Sequence, residues 1–197
     1  MFRRALVLAA LAAIALVVVS AAAAAVVRVR VEGRNATIFG ANEPRASGAN
    51  ALEVLESASI AGEFYYHVTI TSFGPYVDQV GRYGGSDSSG WVFKVNGVSP
   101  PVGADKVELK DGDSVLWYYA TFGPSGGPPT LRLARSGKGC YAAVALDDAG
   151  TPVSNDGVFL QVDARIVKLT AGRACPGPHR GTVRAVKFGY VRSNALA

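Results

Sequence analysis

The segment Trp91-Val-Phe-Lys-Val-Asn-Gly97 combines the pattern of a β-strand with that of a tight turn. Trp91 and Phe93 fall on one face of the predicted strand, and Val92 and Lys94 on the other, because side chains alternate along a strand. The Asn-Gly pair that follows supplies the two positive-φ residues of a two-residue hairpin turn. The segment therefore predicts a β-hairpin.

The same alternation recurs on both sides of this hairpin. The segment from Val26 to Val31 places valines on one face and arginines on the other. Further along the chain, the turn Lys110-Asp-Gly-Asp113 precedes a strand predicted over Ser114 to Ala120. These patterns predict that residues 26–122 form a sheet built largely from hairpins.

One helix interrupts these strands. We predict it from Ser47 to Ser59, with either Asn50 and Glu53 or the earlier Ser47 capping its start, and with Gly62 as its stop. A helix of this length needs another element to pack against, because isolated short helices are only marginally stable in water. Its small apolar face is therefore expected to cover the sheet, through Ala51, Leu52, Leu55, Ala58 and Ser59.

The carboxyl-terminal part predicts a second β domain. Residues 123–129 are rich in glycine and proline and are typical of a linker. Residues 130–197 then predict a small β-sandwich, either immunoglobulin-like or prealbumin-like, from many short strands separated by turns. The predicted strands are 141–146, 158–162, 165–169, 182–188 and 190–192. The 23 glycines and 10 prolines of the chain agree with a mostly β fold.

The amino terminus carries the features of a targeting segment. Arg3 and Arg4 precede an uncharged, apolar run from Ala5 to Val27 that ends in small residues. This order predicts a signal peptide over residues 1–25 and a secreted or otherwise extracytoplasmic protein. The alternative is an uncleaved anchor, because 23 residues at about 1.5 Å each reach across a bilayer core of about 30 Å. Membrane contact is expected only through residues 5–27, if they are uncleaved.

Charge and residue composition argue against several function classes. Removal of residues 1–25 lowers the net charge from +5 to +3, too small a surplus to indicate nucleic-acid binding. Two histidines and two cysteines give no metal-ligand cluster, so no metal site is expected. The sequence carries neither a nucleophile motif nor an acid–base pair. We therefore expect a protein that is not an enzyme.

The cysteines are predicted to form a disulfide. Cys140 and Cys175 both lie in the second predicted domain, and an even pair in an extracytoplasmic protein is typically oxidised. A domain of this size has only a small hydrophobic core, so a covalent cross-link would add to its stability.

Aromatic residues are concentrated between positions 73 and 119. Most of them are expected in the core of the sheet–helix domain, and the remainder are expected to form an exposed platform for a flat, partly apolar ligand. The residues are Phe73, Tyr76, Trp91, Phe93, Trp117, Tyr118 and Tyr119.

Residues 26–122 resemble the C-terminal domain of the transcobalamin and intrinsic-factor family, whose bacterial members are grouped as a domain of unknown function. The resemblance is carried by motifs in a common order: Val29-Arg-Val-Glu-Gly33, Ala51-Leu-Glu53, Phe73-Gly-Pro-Tyr-Val77, Gly90-Trp-Val-Phe-Lys-Val-Asn-Gly-Val98, Val102-Gly-Ala104 and Leu109-Lys-Asp-Gly-Asp-Ser-Val-Leu-Trp-Tyr-Tyr119. It implies a β-grasp-like fold, a mixed sheet crossed by one helix. Residues 130–197 more loosely resemble bacterial immunoglobulin-like surface domains, with a closing hairpin at Val183–Asn194.

The resemblance implies a binding module. The related animal domains cover one face of cobalamin. The resemblance therefore implies a corrinoid-like compound as one candidate ligand, and we expect no other cofactor. A ligand site is then expected at Tyr76, Trp91, Ser86 and Ser88, with the loop Gly84–Gly90 as its edge.

We therefore expect an exported, non-catalytic binding or adhesion protein of the bacterial cell envelope. The alternatives are a module for a small corrinoid-like ligand and a structural surface spacer. The partner is an envelope or extracellular ligand or protein that the sequence does not identify. Exposure of Tyr76 and Trp91 in a pocket favours ligand binding, whereas their burial in a core favours the spacer.

Overall fold

A computed structural model describes residues 24–124 and 126–197. The predicted targeting segment lies almost entirely outside the described residues. Within the described ranges, no helix is both long enough and apolar enough to cross a membrane.

The first part of the chain, residues 25–121 (the first module), is organised around a five-stranded mixed sheet. The strands are β1 (Ala25–Glu32), β2 (Thr37–Phe39), β3 (Arg45–Gly48), β7 (Ser89–Val95) and β8 (Ser114–Thr121). The central strands β1 and β8 run parallel, and β7 pairs antiparallel with β8 at one edge. On the other side of β1, strands β2 and β3 pair with its two ends. The predicted mixed sheet with one helix is confirmed.

Helix α1 (Ala51–Gly62) covers one face of this sheet. Asn50 caps its start by accepting a hydrogen bond from the Glu53 amide, and the Glu53 carboxylate accepts from the Ala49 amide. The start predicted at Ser47 is wrong, because residues 45–48 pair with β1 as strand β3. The helix packs against Val27, Val29 and Val31, and its buried residues are Ala51, Val54, Leu55, Ala58 and Ser59.

The first module also contains a small second sheet, which contributes Val77 and Val80 to the core. It consists of β4 (Tyr66–Thr71), β5 (Gly74–Val80) and β6 (Tyr83–Gly84), in that order. The β4–β5 hairpin leaves Phe73 almost fully exposed at its turn.

Residues 130–196 (the second module) form two facing four-stranded sheets. One contains β9 (Thr130–Arg135), β10 (Tyr141–Leu146), β11 (Pro152–Val153) and β14 (Arg173–Ala174). The other contains β12 (Phe159–Val162), β13 (Arg165–Lys168), β15 (Val183–Val186) and β16 (Ala195–Leu196). Alternate residues of both sheets meet in one core, for example Leu131 and Leu133 against Leu160 and Val162. The predicted sandwich-like arrangement is confirmed.

The predicted closing hairpin of the second module is wrong in detail. Strand β15 pairs with β16 through Val183 and Leu196, not with residues 190–192. Residues 187–194 instead form a long connection, in which Val191 bridges to Thr130. This connection reaches the first module.

The second module covers the face of the main sheet opposite the helix. Leu116, Tyr118 and Ala120 of β8 are buried there in a cluster with Val191. Strand β8 is consequently apolar on both faces, as expected for a strand buried between two layers.

Candidate functional site

A buried carboxylate joins the two modules. The Glu32 side chain is 1% exposed and accepts hydrogen bonds from Arg30 and Thr37 of the first module and from Arg184 and Arg192 of the second. Arg192 donates through both Nε, at 3.1 Å, and Nη2, at 2.8 Å. Burial lowers the pKa of Arg30, and the charge of Glu32 opposes that effect. This cluster, here called the Glu32 hub, fixes the relative position of the modules.

A buried lysine makes a second connection between the modules. The Lys94 side chain is fully buried, and its Nζ donates to the carbonyl of Asp147 at 2.6 Å and to Thr130 Oγ1 at 3.2 Å. The Asp148 carboxylate lies 3.6 Å from Nζ. Burial lowers the pKa of Lys94, and Asp148 opposes this. Arg30 and Lys94 are both buried, because the second module covers the face of the sheet on which they lie.

A cleft of about 950 Å³ opens where the modules meet. We call it the intermodule cleft. The first module contributes the turn 33–35 and the ends of β7 and β8, and the second contributes Phe159 and the connection after β15. Its lining residues are Gly33, Arg34, Asn35, Ser89, Tyr119, Thr121, Pro128, Phe159, Val186, Lys187, Phe188, Gly189, Tyr190, Val191 and Arg192. The volume lies within the range of small-molecule sites.

Aromatic rings line one side of the cleft. Phe188 is fully exposed at the turn after β15, where Gly189 adopts a φ of 75°. Phe159 is 36% exposed, and Tyr190 is half-buried. Exposed rings grouped around a concavity are suited to stacking against a flat apolar surface.

Cations accompany these rings. The Arg34 guanidinium lies 5.0 Å from the ring centroid of Tyr119 and donates to its hydroxyl at 3.3 Å. Lys187 Nζ lies 3.9 Å from the ring centroid of Tyr190. Neither cation is within ion-pair distance of a carboxylate among the described residues. The lining residues include no acidic side chain, so the cleft favours ligands with anionic or carbonyl oxygens.

Three of the four predicted ligand residues, Tyr76, Trp91 and Ser86, line pockets other than this cleft. Tyr76 is 43% exposed and separates two smaller pockets of about 420 Å³ and about 310 Å³. Trp91 lines the smaller pocket but is only 2% exposed, and its indole N–H donates to the Tyr83 carbonyl at 2.8 Å. Trp91 is therefore mainly a core residue, and an alanine there removes packing along with any ligand contact.

Only one of the two predicted serines lines a pocket. Ser86 lines the 420 Å³ pocket with Asp78 and Gln79. Ser88 lines none of the three described pockets, and its carbonyl accepts from the Phe122 amide at 2.8 Å. Among the aromatic residues of the predicted platform, Phe73 and Tyr76 are exposed, whereas Trp91, Trp117, Tyr118 and Tyr119 are buried.

The predicted disulfide between Cys140 and Cys175 is confirmed. It joins the segment before β10 to the segment after β14 at one edge of the sandwich. Within residues 24–124 and 126–197, no group of three or more potential metal ligands comes together.

The sequence reasoning missed the intermodule cleft. Its two halves, the turn at Arg34 and the connection at Phe188, are separated by about 150 positions. A signal was nevertheless present in Lys187-Phe-Gly-Tyr190. A phenylalanine beside a turn glycine rarely belongs to a core, since turns lie at the surface.

Comparisons with known proteins find one family match, and it lies within the first module. Residues 48–121 match the family model described as a domain of unknown function (DUF4430). This confirms the expected domain of unknown function over that range. A search of curated proteins finds no match.

Solved structures resemble parts of the chain. Haptocorrin in complex with Cbi aligns with 51% of this chain, at 20% identity and a TM-score of 0.44, and the alignment covers 26% of haptocorrin. This chain thus spans about a quarter of that protein's length. A candidate metal-binding protein from Ruminococcus gnavus aligns with 49% of this chain and over 97% of its own length, at 16% identity and a TM-score of 0.37.

Proposed function

We propose that this chain is an exported, non-catalytic binding or adhesion protein of the bacterial cell envelope, and that it takes its ligand in the intermodule cleft. The observation that carries the proposal is the grouping of Phe159, Phe188 and Tyr190 with the cations Arg34 and Lys187 around a cavity of about 950 Å³. These are recognition groups, suited to stacking and to oxygen acceptors. Export is supported by the amino-terminal pattern and by the disulfide.

A corrinoid-like compound is the first ligand to test. It combines a flat macrocycle with peripheral amide carbonyls, and cyanocobalamin adds a phosphodiester. The aromatic rings of the intermodule cleft are suited to stacking on the macrocycle. Its cations are suited to binding the amide carbonyls and the phosphodiester. The 310 Å³ pocket is too small for such a macrocycle, since it lies at the lower end even for drug-sized ligands.

Equilibrium dialysis of the purified protein with cyanocobalamin tests the proposal. Phe188→Ser is expected to weaken binding about fivefold, because a ligand that covers half of the ring loses about 1 kcal/mol. Phe73→Ser is the matched control, since Phe73 is equally exposed but lies outside the cleft. Equal effects of both substitutions contradict the proposed location.

The cations provide a second comparison. Cobinamide, which lacks the phosphodiester together with its ribose and base, is expected to bind at least two- to fivefold more weakly than cyanocobalamin, because loss of an exposed ion pair alone costs about 0.5–1 kcal/mol. Arg34→Gln is expected to reduce this difference by the contribution of the ion pair. Unchanged discrimination in that variant contradicts a role for Arg34.

A surface spacer is the second candidate function. It is favoured by the Glu32 hub and by Lys94, whose buried charges hold the two modules together. Absence of saturable binding up to about 1 mM, near −4 kcal/mol, favours the spacer over the corrinoid-binding module.

A further inference from the structure

A second concavity lies at the free edge of the main sheet. Strand β7 pairs with β8 on one side only, and beside its other edge lies the pocket of about 310 Å³. We call it the β7-edge pocket. None of its lining residues lines the intermodule cleft. It therefore requires its own explanation.

Unpaired backbone groups of β7 face this pocket. Ser89 exchanges both of its backbone hydrogen bonds with Ser86, and Val95 does the same with Val98, in both cases away from β8. Hydrogen-bonding direction alternates along a strand, so Phe93 also directs its N–H and C=O away from β8. Among the described residues, no backbone partner outside the ladder engages these two groups. Phe93 lines the pocket.

The walls of the β7-edge pocket are mainly apolar. Tyr76, Trp91, Trp117 and Phe122 contribute aromatic surface, and Tyr76 and Phe122 each remain 43% exposed. Nearby Val98 and Val102 are exposed to a similar degree. Grouped apolar exposure of this kind is typical of a binding surface.

The polar lining restricts the charge of a ligand. Asp148 is the charged side chain among the lining residues, and its carboxylate already accepts from Ser99 Oγ at 3.3 Å, Tyr118 Oη at 3.4 Å and the Gly127 amide at 3.3 Å. The same carboxylate lies 3.6 Å from Lys94 Nζ, so the pocket offers neither a free cation nor a free anion to a charged ligand. An uncharged ligand suits both the walls and Asp148.

We propose that the β7-edge pocket binds a small uncharged ligand with a compact apolar body and an amide-like group. The apolar body lies against Tyr76 and Phe122. The amide N–H donates to the Phe93 carbonyl, and the amide oxygen accepts from the Phe93 N–H. The site is independent of the intermodule cleft and of its ligand.

Cyclohexanecarboxamide is the probe, because it has the required shape and does not absorb where tryptophan is excited. Both tryptophans line the pocket, so saturable change in their fluorescence reports binding. N,N-dimethylcyclohexanecarboxamide keeps the acceptor but lacks the N–H donor and is expected to bind roughly fivefold more weakly. Cyclohexanecarboxylate is expected to bind more weakly still. Equal binding of the amide and its dimethyl derivative overturns the proposal.

Amide hydrogen exchange locates the probe. In the free protein, the Phe93 amide is expected to exchange faster than those of Val92 and Lys94, which pair with β8. The carboxamide is expected to slow exchange at Phe93. An unchanged Phe93 rate at saturation, or a preference for an extended apolar tetrapeptide over the carboxamide, overturns the small-ligand proposal.

Two variants test whether the carboxamide binds in the β7-edge pocket. Phe122→Ser is expected to weaken carboxamide binding about threefold or more through loss of partly covered apolar surface. Phe73→Ser removes an exposed phenylalanine elsewhere and is expected to leave binding unchanged. Equal losses in the two variants overturn the assignment to this pocket.

Discussion

Removal of the charge at the centre of the Glu32 hub should destabilise the whole protein. In Glu32→Gln the side chain keeps its shape but no longer neutralises Arg184 and Arg192, which approach it from the second module. Arg30 keeps a contact with Glu43 at 3.4 Å, so it loses one of two carboxylate partners. The substitution thus leaves three guanidinium groups around an uncharged amide.

The expected loss in the free energy of unfolding follows from the burial of the charged side chains in the Glu32 hub. The exposed fractions of the side chains are 1% for Glu32, 4% for Arg30, 15% for Arg184 and 20% for Arg192. Breaking a buried ion pair from one side typically costs about 3–5 kcal/mol, because the remaining charge is left without a partner. For a protein of this size, that corresponds to a fall of roughly 6–20 °C in Tm.

Urea unfolding, followed by tryptophan fluorescence and circular dichroism, measures this effect. Glu108→Gln is the control, since Glu108 is an exposed carboxylate without an ion pair among the described residues and should change the free energy of unfolding by less than about 0.5 kcal/mol. If Glu32→Gln resembles this control, the hub does not join the modules as described.

Three further predictions concern other parts of the chain. Replacement of Cys140 and Cys175 by alanine should lower the free energy of unfolding by about 4 kcal/mol, as expected for loss of a cross-link across 35 positions; a change below about 1 kcal/mol in urea unfolding would argue against it. Lys94→Met should lower that free energy by about 1–3 kcal/mol, because buried oxygens lose their donor; calorimetry showing equal or greater stability would contradict this. The hydrogen bond from Thr69 holds the pKa of Asp78 below its ordinary 3.8, so its stabilising contribution is present above that pH and is lost as the pH falls through the lower, folded-state value. Thr69→Val should raise the pKa of Asp78 in a carboxyl-carbon NMR titration, and an unchanged midpoint would refute the assignment.

Local patterns predicted the elements of the first module well. The alternation of Val27, Val29 and Val31 placed these residues on a buried face, and all three are fully buried beneath the helix. The helix start at Asn50 was also readable, since a capping side chain acts over three residues. Such features depend on short stretches of chain, which a sequence displays directly.

Short irregular elements were harder to predict. Strand β3 (Arg45–Gly48) has neither β-branched residues nor a long alternation, and it forms because the end of β1 offers a partner. Strand β16 (Ala195–Leu196) is similar. Pairing with a distant strand determined their conformation, and local propensity did not.

The candidate site depended on contacts between distant segments. Arg30 looked like a surface residue because its strand alternates, yet a connection 162 positions away covers it. The intermodule cleft arises from the same docking of the modules. Tyr76 was predicted as a ligand residue, and it does line pockets, whereas the burial of Trp91 depended on tertiary packing.

The claim that the intermodule cleft binds a ligand is tested most directly by amide NMR spectra of the purified protein during titration with cyanocobalamin. The account predicts saturable shifts concentrated at the residues that line the cleft, above all in the turn 33–35 and the connection 186–192. Saturable shifts that cluster elsewhere, or none up to about 1 mM, would contradict it.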